Sequence, residues 1–362
     1  MDVFNKNYSS VNILVAPLDW GLGHATRCIP IITALLENGC NVIIAADVKV
    51  KNILQKEFPQ LECITLKGYN ISYTRKGWML PLAIFLQIPK ILLAIYKENR
   101  WLKKISADYH LHMVISDNRY GLYNKSLTSV FIIHQLYVKA RFVWMEKIIQ
   151  QIHNRFLSRF TYCWVPDFSG EENLAGALSH PEVVLPNVSY IGGLSRMELQ
   201  PSVTQHYDYC IILSGPEPQR SIFERKIVEQ LKSAQHKVLL VRGLPGEDVK
   251  PLNIDNKNVH IANHLSARDL NAAIVASGFV ISRCGYTTVM DLVKLKKKAV
   301  LVPTPGQTEQ EYLAEYFQQK NVAPCYKQSD FELNTALMEV KKYSGFHSFE
   351  GKNNLRTIIA QL

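Results

Sequence analysis

GFVISRCGYTTVMDLVKLKKKAVLVPTP, residues 278–305, is the stretch whose reading decides the fold. An apolar run over 278–285 ends in Arg283-Cys284-Gly285. Tyr286-Thr287-Thr288 opens a segment of helical spacing to residue 295, and KAVLVPTP (298–305) is a second apolar run. Short, continuous apolar runs separated by a helix mark strands buried on both faces of a parallel sheet. Working outward, the same alternation holds in YCIILSG (209–215), a helix over 218–233, KVLLVRG (237–243) and NVHIAN (258–263). An earlier series comprises VNILVAPL (11–18), the helix GHATRCIPIITALLENG (23–39), NVIIAAD (41–47), HMVISD (112–117), SVFIIHQ (129–135) and YCWVPD (162–167). Residues 186–207 are rich in Pro, Gly and Ser, show no strong periodicity and separate the two series. The chain therefore reads as α/β, with doubly wound Rossmann-like domains over 1–195 and 208–362 and a linker at about 196–207. Ligands of such sheets bind outside the carboxyl ends of the strands, so a cleft between the two domains is the expected site.

A length of 362 residues suits two domains, and 47% hydrophobic with 20% charged residues excludes a disordered or fibrous chain. The 7 cysteines are odd in number, scattered and without a C-x-x-C pair. That argues against a disulfide framework or a cysteine zinc site. MDVFNKNYSS at the N-terminus lacks the apolar run of a secretory signal, so a soluble protein of a reducing, cytoplasmic compartment is expected. The net charge is +10, and its placement matters more than its sum. Between Lys67 and Lys104 stand Lys67, Arg75, Lys76, Lys90, Lys97, Arg100, Lys103 and Lys104 against one acid, Glu98. They interleave with WMLPLAIFLQIPKILLAIYKENRW (78–101), uncharged from Trp78 to Pro89. That run is about half of the ~20 residues a bilayer span needs. Lysine-flanked apolar residues suit a helix lying at an anionic membrane surface. The alternative is a helical pair packed on the core with its basic face in water. No recognised binding module accompanies the charge, so nucleic acid is not expected as a partner.

Two constellations carry chemistry. In DWGLGHATR (19–27), Gly21 and Gly23 let the backbone approach a ligand, and His24 sits at the start of a helix. The positive end of the helix dipole disfavours imidazolium, so His24 is expected neutral and able to accept a proton. A structural histidine at a helix start is the plainer alternative. Asp47, ending the second strand, stands where a dinucleotide enzyme holds a ribose. Thr26 in place of the third glycine, and a long strand-to-glycine turn, argue against NAD. In the second constellation, Gly285, Tyr286, Thr287 and Thr288 open a helix whose N–H groups can cradle phosphate oxygens. Asp291, one turn on, can accept hydrogen bonds from ribose hydroxyls. Gln307, Gln310 and Glu311 follow the next strand and can reach the hydroxyls of a sugar. A plain capped helix would explain Thr287 alone.

Over these residues the chain resembles the GT-B glycosyltransferases of the group containing the MurG N-acetylglucosaminyltransferase, which use UDP-sugars. The group's Arg, small residue, Gly, x-x-Thr-Val-x-acid pattern is met by Arg283, Cys284, Gly285, Thr288, Val289 and Asp291, with Asp where Glu is more usual. Its donor-sugar Gln-Gln pair corresponds to Gln310 and Glu311. Its Gly-Gly-Ser phosphate loop is partly kept as Ser214 and Gly215, and Asn263-His264-Leu265 falls where its backbone pairs with uracil. Its glycine-rich loop ending in Gly-His is matched by Gly23 and His24. The resemblance implies a GT-B fold with two Rossmann-like domains facing across a cleft. It also implies an inverting, metal-independent glycosyltransferase with no cofactor beyond a nucleotide-sugar donor, UDP-linked. The acceptor would be a saccharide or lipid-linked molecule, and the enzyme would be cytoplasmic with a peripheral place on the inner face of the membrane. Candidate catalytic groups are His24, Asp117 and His134 at strand ends of the first domain, with Arg119 for an acceptor phosphate or carboxylate. Singly, Asp117 also reads as a helix N-cap, His134 as a packed histidine and Arg119 as a surface residue. Gly-x-Gly-His-x-x-Arg, here Gly21 to Arg27, also resembles the UDP-sugar hydrolase of pseudaminic acid synthesis, in which water attacks. A non-catalytic nucleotide-sugar-binding subunit is the third reading.

Overall fold

The computed structural model describes residues 11–19, 22–69, 80–139, 143–200, 204–244, 246, 249–349 and 351–361. Most of the chain up to Arg196, and again from Gly351 onward, forms one compact unit, and Met197–Glu350 is essentially the other.

The first unit runs β1 (Asn12–Pro17), α1 (Leu22–Glu37), β2 (Asn41–Ala46), α2 (Val48–Glu57), β3 (Cys63–Thr65), α3 (Leu80–Asp108), β4 (Met113–Asp117), β5 (Thr128–Ile132), α4 (Val143–Leu157), β6 (Tyr162–Val165) and β7 (Val188–Tyr190). The strands form a parallel sheet in the order β3-β2-β1-β4-β5-β6-β7. Ile13, Leu14, Val15 and Ala16 are all fully buried, as expected of a strand covered on both faces. On α1, Ala25, Cys28, Ile32 and Leu35 recur at helical spacing and make the buried face. Strand order reverses between β1 and β4, where Pro17 pairs with Asp117. Connections leave that point in opposite directions and open a crevice at the strand ends.

The second unit repeats the scheme: β8 (Tyr207–Ile212), α5 (Gln219–Leu231), β9 (Val238–Val241), β10 (Val259–Ala262), α6 (Ala267–Val275), β11 (Ser277–Ser282), α7 (Tyr286–Lys294), β12 (Lys298–Leu301), α8 (Thr308–Gln319) and α9 (Leu333–Glu339). Its parallel sheet has the order β10-β9-β8-β11-β12, so the reversal falls between β8 and β11. Ile211, Ile281 and Val300 pack with Phe223, Ile227 and Phe331 in its core.

Four features differ from the sequence reading. β7 lies inside 186–207, where no periodicity was visible, because a three-residue strand is too short to show one. β5 ends at Ile132, which leaves His134 on the loop beyond it rather than closing the strand. The second domain does not run to 362: α10 (Leu355–Gln361) lies against α1 of the first unit. Leu355 and Ile359 are buried, and Arg356 Nη2 is 2.8 Å from Glu37 Oε2. Finally, α3 is one helix of 29 residues carried through Pro89, not a pair. No helix among the described residues is long and apolar enough to cross a membrane.

Candidate functional site

At the reversal point of the first sheet, α1 begins at Leu22, so Gly23 and His24 occupy its first turn. Trp20 and Gly21 lie outside the described residues. Helical spacing puts Arg27 and Cys28 one turn beyond His24, above the end of β4, where Asp117 is the last residue. Asp117 has no exposed surface. Its carboxylate accepts from Arg27 through Nε (2.8 Å to Oδ2) and through Nη2 to Oδ1. His24 Nδ1 lies 3.2 Å from Asp117 Oδ2 and 2.9 Å from Arg27 Nη2. Arg27 Nη1 is 3.3 Å from His134 Nδ1. Of His24, Asp117 and Arg27, only the imidazole is appreciably open, its side chain 14% exposed.

The electrostatics follow from this packing. Burial and the adjacent Arg27 hold the His24 imidazole below its ordinary value, outweighing the opposing pull of Asp117. Burial alone would push the Asp117 carboxyl up, but Arg27 and His24 overcome it and keep the group ionised. Asp117 is therefore not a helix N-cap but the buried anion of a cluster, and both its oxygens are engaged. His24 is expected neutral as read from the helix dipole, with burial and Arg27 as the leading causes.

The loop carrying His134 is fixed from α4. Gln150 Nε2 donates to Leu136 O (2.7 Å), and Val138 N donates to Gln150 Oε1 (3.2 Å). His153 Nε2 is 3.1 Å from Gln135 O, and its Nδ1 is 3.1 Å from Tyr120 Oη. Burial brings His153 down to about 4, so the ring stays neutral and donates to that carbonyl.

Arg119 departs from its expected role. It is fully buried, with Nε 2.8 Å from Glu98 Oε1, Nη1 3.1 Å from Pro17 O and Nη2 2.5 Å from Lys67 O. A guanidinium committed on three sides below the surface offers nothing to an acceptor.

In the second unit the loops after β8, β11 and β12 surround the equivalent reversal. Gly215 follows β8 with φ +100°, a left-handed conformation that favours glycine, and a Cβ there would lie 3.4 Å from Thr304 Oγ1. Thr304 is 2% exposed, and its hydroxyl has no hydrogen-bond partner among the described residues. Ser214 is half-buried beside Gly215. Gly285 is the N-cap of α7 and provides no side-chain cap, while Thr287, Thr288 and Asp291 are half-buried along its first turns. Tyr286 is buried. Asn263 follows β10; Arg242 Nη1 donates to its Oδ1 (2.8 Å) and Leu244 N to its carbonyl (2.8 Å). Arg242 is held in turn by Glu224, at 2.6 Å. His264 is exposed, and Leu265 packs its side chain on the core.

Two expectations change here. Arg283 is 1% exposed and braces the sheet end, donating to Val302 O and Pro303 O (3.2 Å each), Gln219 O (3.1 Å) and Gln328 Oε1 (2.5 Å). Burial lowers it to about 10. Its guanidinium is committed to shaping the loops. Gln310 and Glu311 likewise build their own loop: Gln310 Oε1 accepts from Thr304 N (2.9 Å), its Nε2 donates to Gln307 Oε1, and Glu311 Oε1 accepts from Gly306 N (2.9 Å). What the glutamines leave for a sugar is amide N–H.

The residue the sequence reading passed over is Arg27, visible there only as the last letter of a pattern. Its i+3 spacing from His24 was the available signal.

Residues 219–348 match the model of the glycosyltransferase family 28 C-terminal domain. No curated protein sequence matches the chain. Among solved structures, the spinosyn rhamnosyltransferase SpnG superposes with a TM-score of 0.66 at 13% identity, over 97% of this chain and 95% of that one. Acinetobacter baumannii MurG gives 0.55 at 14%, over 97% and 98%. The Streptomyces sp. SF2575 glycosyltransferase SsfS6, complexed with thymidine diphosphate, gives 0.60 at 11%, over 97% and 100%. At these identities the likeness is one of fold, and the fold is GT-B, two Rossmann-like domains.

Proposed function

We propose that the protein is an inverting glycosyltransferase that moves a sugar from a nucleotide sugar, UDP-linked, to an acceptor hydroxyl. The carrying observation is His24, its side chain 14% exposed, seated against a buried Asp117–Arg27 pair at the strand-order reversal of the first unit. The GT-B fold and the family 28 match of the second unit support sugar transfer. His24 Nδ1 is occupied by the pair, so Nε2 is the nitrogen that receives the acceptor's proton as its oxygen attacks the anomeric carbon. The bond from that carbon to the leaving phosphate breaks, and the nucleoside diphosphate departs with the electron pair. Asp117 does not act as the base, because both of its oxygens are engaged in burial. The turn at 285–288 and the Ser214-Gly215 loop offer backbone N–H to the diphosphate without a metal, and Asp291 takes the ribose. Leu265, after the braced Asn263, presents backbone to the base.

A peripheral membrane place accompanies this reading. On α3, Ile88, Leu92, Leu93 and Tyr96 are exposed, between Lys90, Lys97, Arg100, Lys103 and Lys104. The one acid between Lys67 and Lys104, Glu98, points inward onto Arg119, so the charges α3 exposes from Ile88 to Lys104 are all cationic. Arg75, Lys76 and Trp78 lie outside the described residues. Such a face suits an anionic inner-leaflet surface and a lipid-linked acceptor.

The test is release of UDP from UDP-sugars with and without candidate acceptors. His24→Ala should lose about 10²–10⁴ in turnover while UDP affinity stays within a few fold. Stoichiometric release without any acceptor would instead establish hydrolysis. Donor binding without turnover for any acceptor, with His24→Ala tolerated in cells, would establish a binding subunit.

A further inference from the structure

We propose that Arg27 is a positioning residue that sets the basicity of His24 by balancing the buried charge of Asp117. The inference rests on the reading of His24 as the base. A histidine paired with a carboxylate alone is pushed toward imidazolium, because a full negative charge sits within hydrogen-bond reach. Here that charge is already answered. Arg27 holds both oxygens of Asp117, one of them at 2.8 Å through Nε, in a place where the carboxylate has no exposed surface and the guanidinium only 3%. A proton added to His24 would leave a net positive charge on a cluster whose other two members are buried, which is costly.

The other groups facing the ring do not alter this balance. From α1 come Arg27 and Cys28, from the end of β4 Asp117, and from the loop after β5 His134. Burial pushes the Cys28 thiol well up, so it remains a neutral group 3.7 Å from Asp117 Oδ2. His134 contacts Arg27 Nη1 at 3.3 Å and brings no negative charge. Asp117 is thus the one anion facing the ring among the described residues.

Arg27 also acts through geometry. His24 Nδ1 lies between a carboxylate oxygen at 3.2 Å and a guanidinium nitrogen at 2.9 Å. Guanidinium has donors only, so Nδ1 accepts from Arg27 when bare and donates to Asp117 when protonated. For Nε2 to be bare, Nδ1 carries the neutral ring's proton and donates to Asp117 Oδ2, a carboxylate that Arg27 holds in place through both oxygens. The charge balance therefore opposes the imidazolium and keeps the base free at lower pH than a two-member pair would allow.

The test is an NMR titration of the His24 ring in the full-length protein without ligand, with His24→Gln used for assignment. Arg27→Gln should raise the His24 midpoint by about one to three pH units, the scale for an opposite charge no longer answered. Arg27→Gln/Asp117→Asn, with no ionised partner left, should bring it back below the single variant. If Arg27→Gln fails to fold, Arg27→Lys keeps the charge but gives up the fork, and a smaller rise is expected. A folded Arg27→Gln protein titrating like the wild type overturns the proposal, as does an unshifted lysine variant where that one carries the test. The titration needs no substrate, so absence of turnover would refute the transferase reading and leave this measurement standing. Where turnover is found, the acid limb of the kcat/KM profile should move up with the NMR midpoint.

Discussion

Asp117→Asn is the perturbation that weighs most directly what holds the first unit's site together. In the wild type, Arg27 donates to both carboxylate oxygens, and neither partner has more than 3% exposure. An asparagine keeps one oxygen to accept Arg27 and turns an N–H₂ toward the other donor, so one bond is lost and the guanidinium stays buried without a counter-ion. Breaking a buried pair by removing one partner costs about 3–5 kcal/mol. Trp101, Trp144 and Trp164 belong to the first unit and Met197–Glu350 holds no tryptophan, so tryptophan fluorescence during urea unfolding reports mainly on the first unit. With a urea slope of about 1–3 kcal/mol per molar, the midpoint should fall by roughly 1–5 M. The pH dependence has a definite sign. The native Asp117 carboxyl lies below its unfolded value of about 3.9, so its stabilisation is complete above that value and is lost as pH falls through it toward the native one. The gap between wild type and variant should be flat from about pH 5 to 8 and should close below about pH 4. Coupling gives a further check, since adding Arg27→Gln removes the stranded charge and should recover part of the loss. A midpoint unchanged at neutral pH, or a gap that widens on acidification, would refute the reasoning.

Three other outcomes follow from the same structure. Asp291→Ala should weaken UDP binding, read by calorimetry, by roughly 1–3 kcal/mol, the scale of a hydrogen bond to a charged group; full affinity in the folded variant would move the ribose elsewhere. Gly215→Ala imposes a Cβ at φ +100°, facing the Thr304 hydroxyl, and should cost the second unit about 1–2 kcal/mol. Circular dichroism melting detects that loss, and an unaltered transition would show that the turn does not need glycine. Vesicle sedimentation should bring the protein down with anionic lipid at low salt, less so at high salt or after Lys97, Arg100, Lys103 and Lys104 are replaced by Gln. Each engaged basic residue contributes about 1 kcal/mol, so protein left in the supernatant at low salt would make the face an ordinary solvated one.

The doubly wound architecture was legible because parallel strands covered on both faces must be continuously apolar, and runs such as ILVA (13–16) can do little else. What escaped was set by length or by distant partners. β3 and β7 have three residues each, too few for a period. The return of α10 depends on Leu355 and Ile359 finding the surface of α1, more than 300 positions away, which no local window contains.

The same distinction divides the candidate residues. A polar side chain just past a strand end either faces the crevice or folds back under the sheet, and residue type does not tell which. His24 and Asp117 face each other because β1 and β4 are neighbours at the reversal, a fact of topology. Arg119, only two residues beyond Asp117, follows Asn118 at φ +59°. That turn, held by Ser116 Oγ to Arg119 O at 2.6 Å, sends its guanidinium inward to Glu98 of α3. Arg283 is similarly drawn to carbonyls after β12. A buried arginine must find acceptors, and those acceptors lie on other elements; until they are located, a brace and a ligand contact look alike. Arg27 shows the converse. Helical spacing alone places it beside His24, but its consequence for the imidazole appears only once Asp117, 90 residues further along the chain, is seen to be its counter-ion.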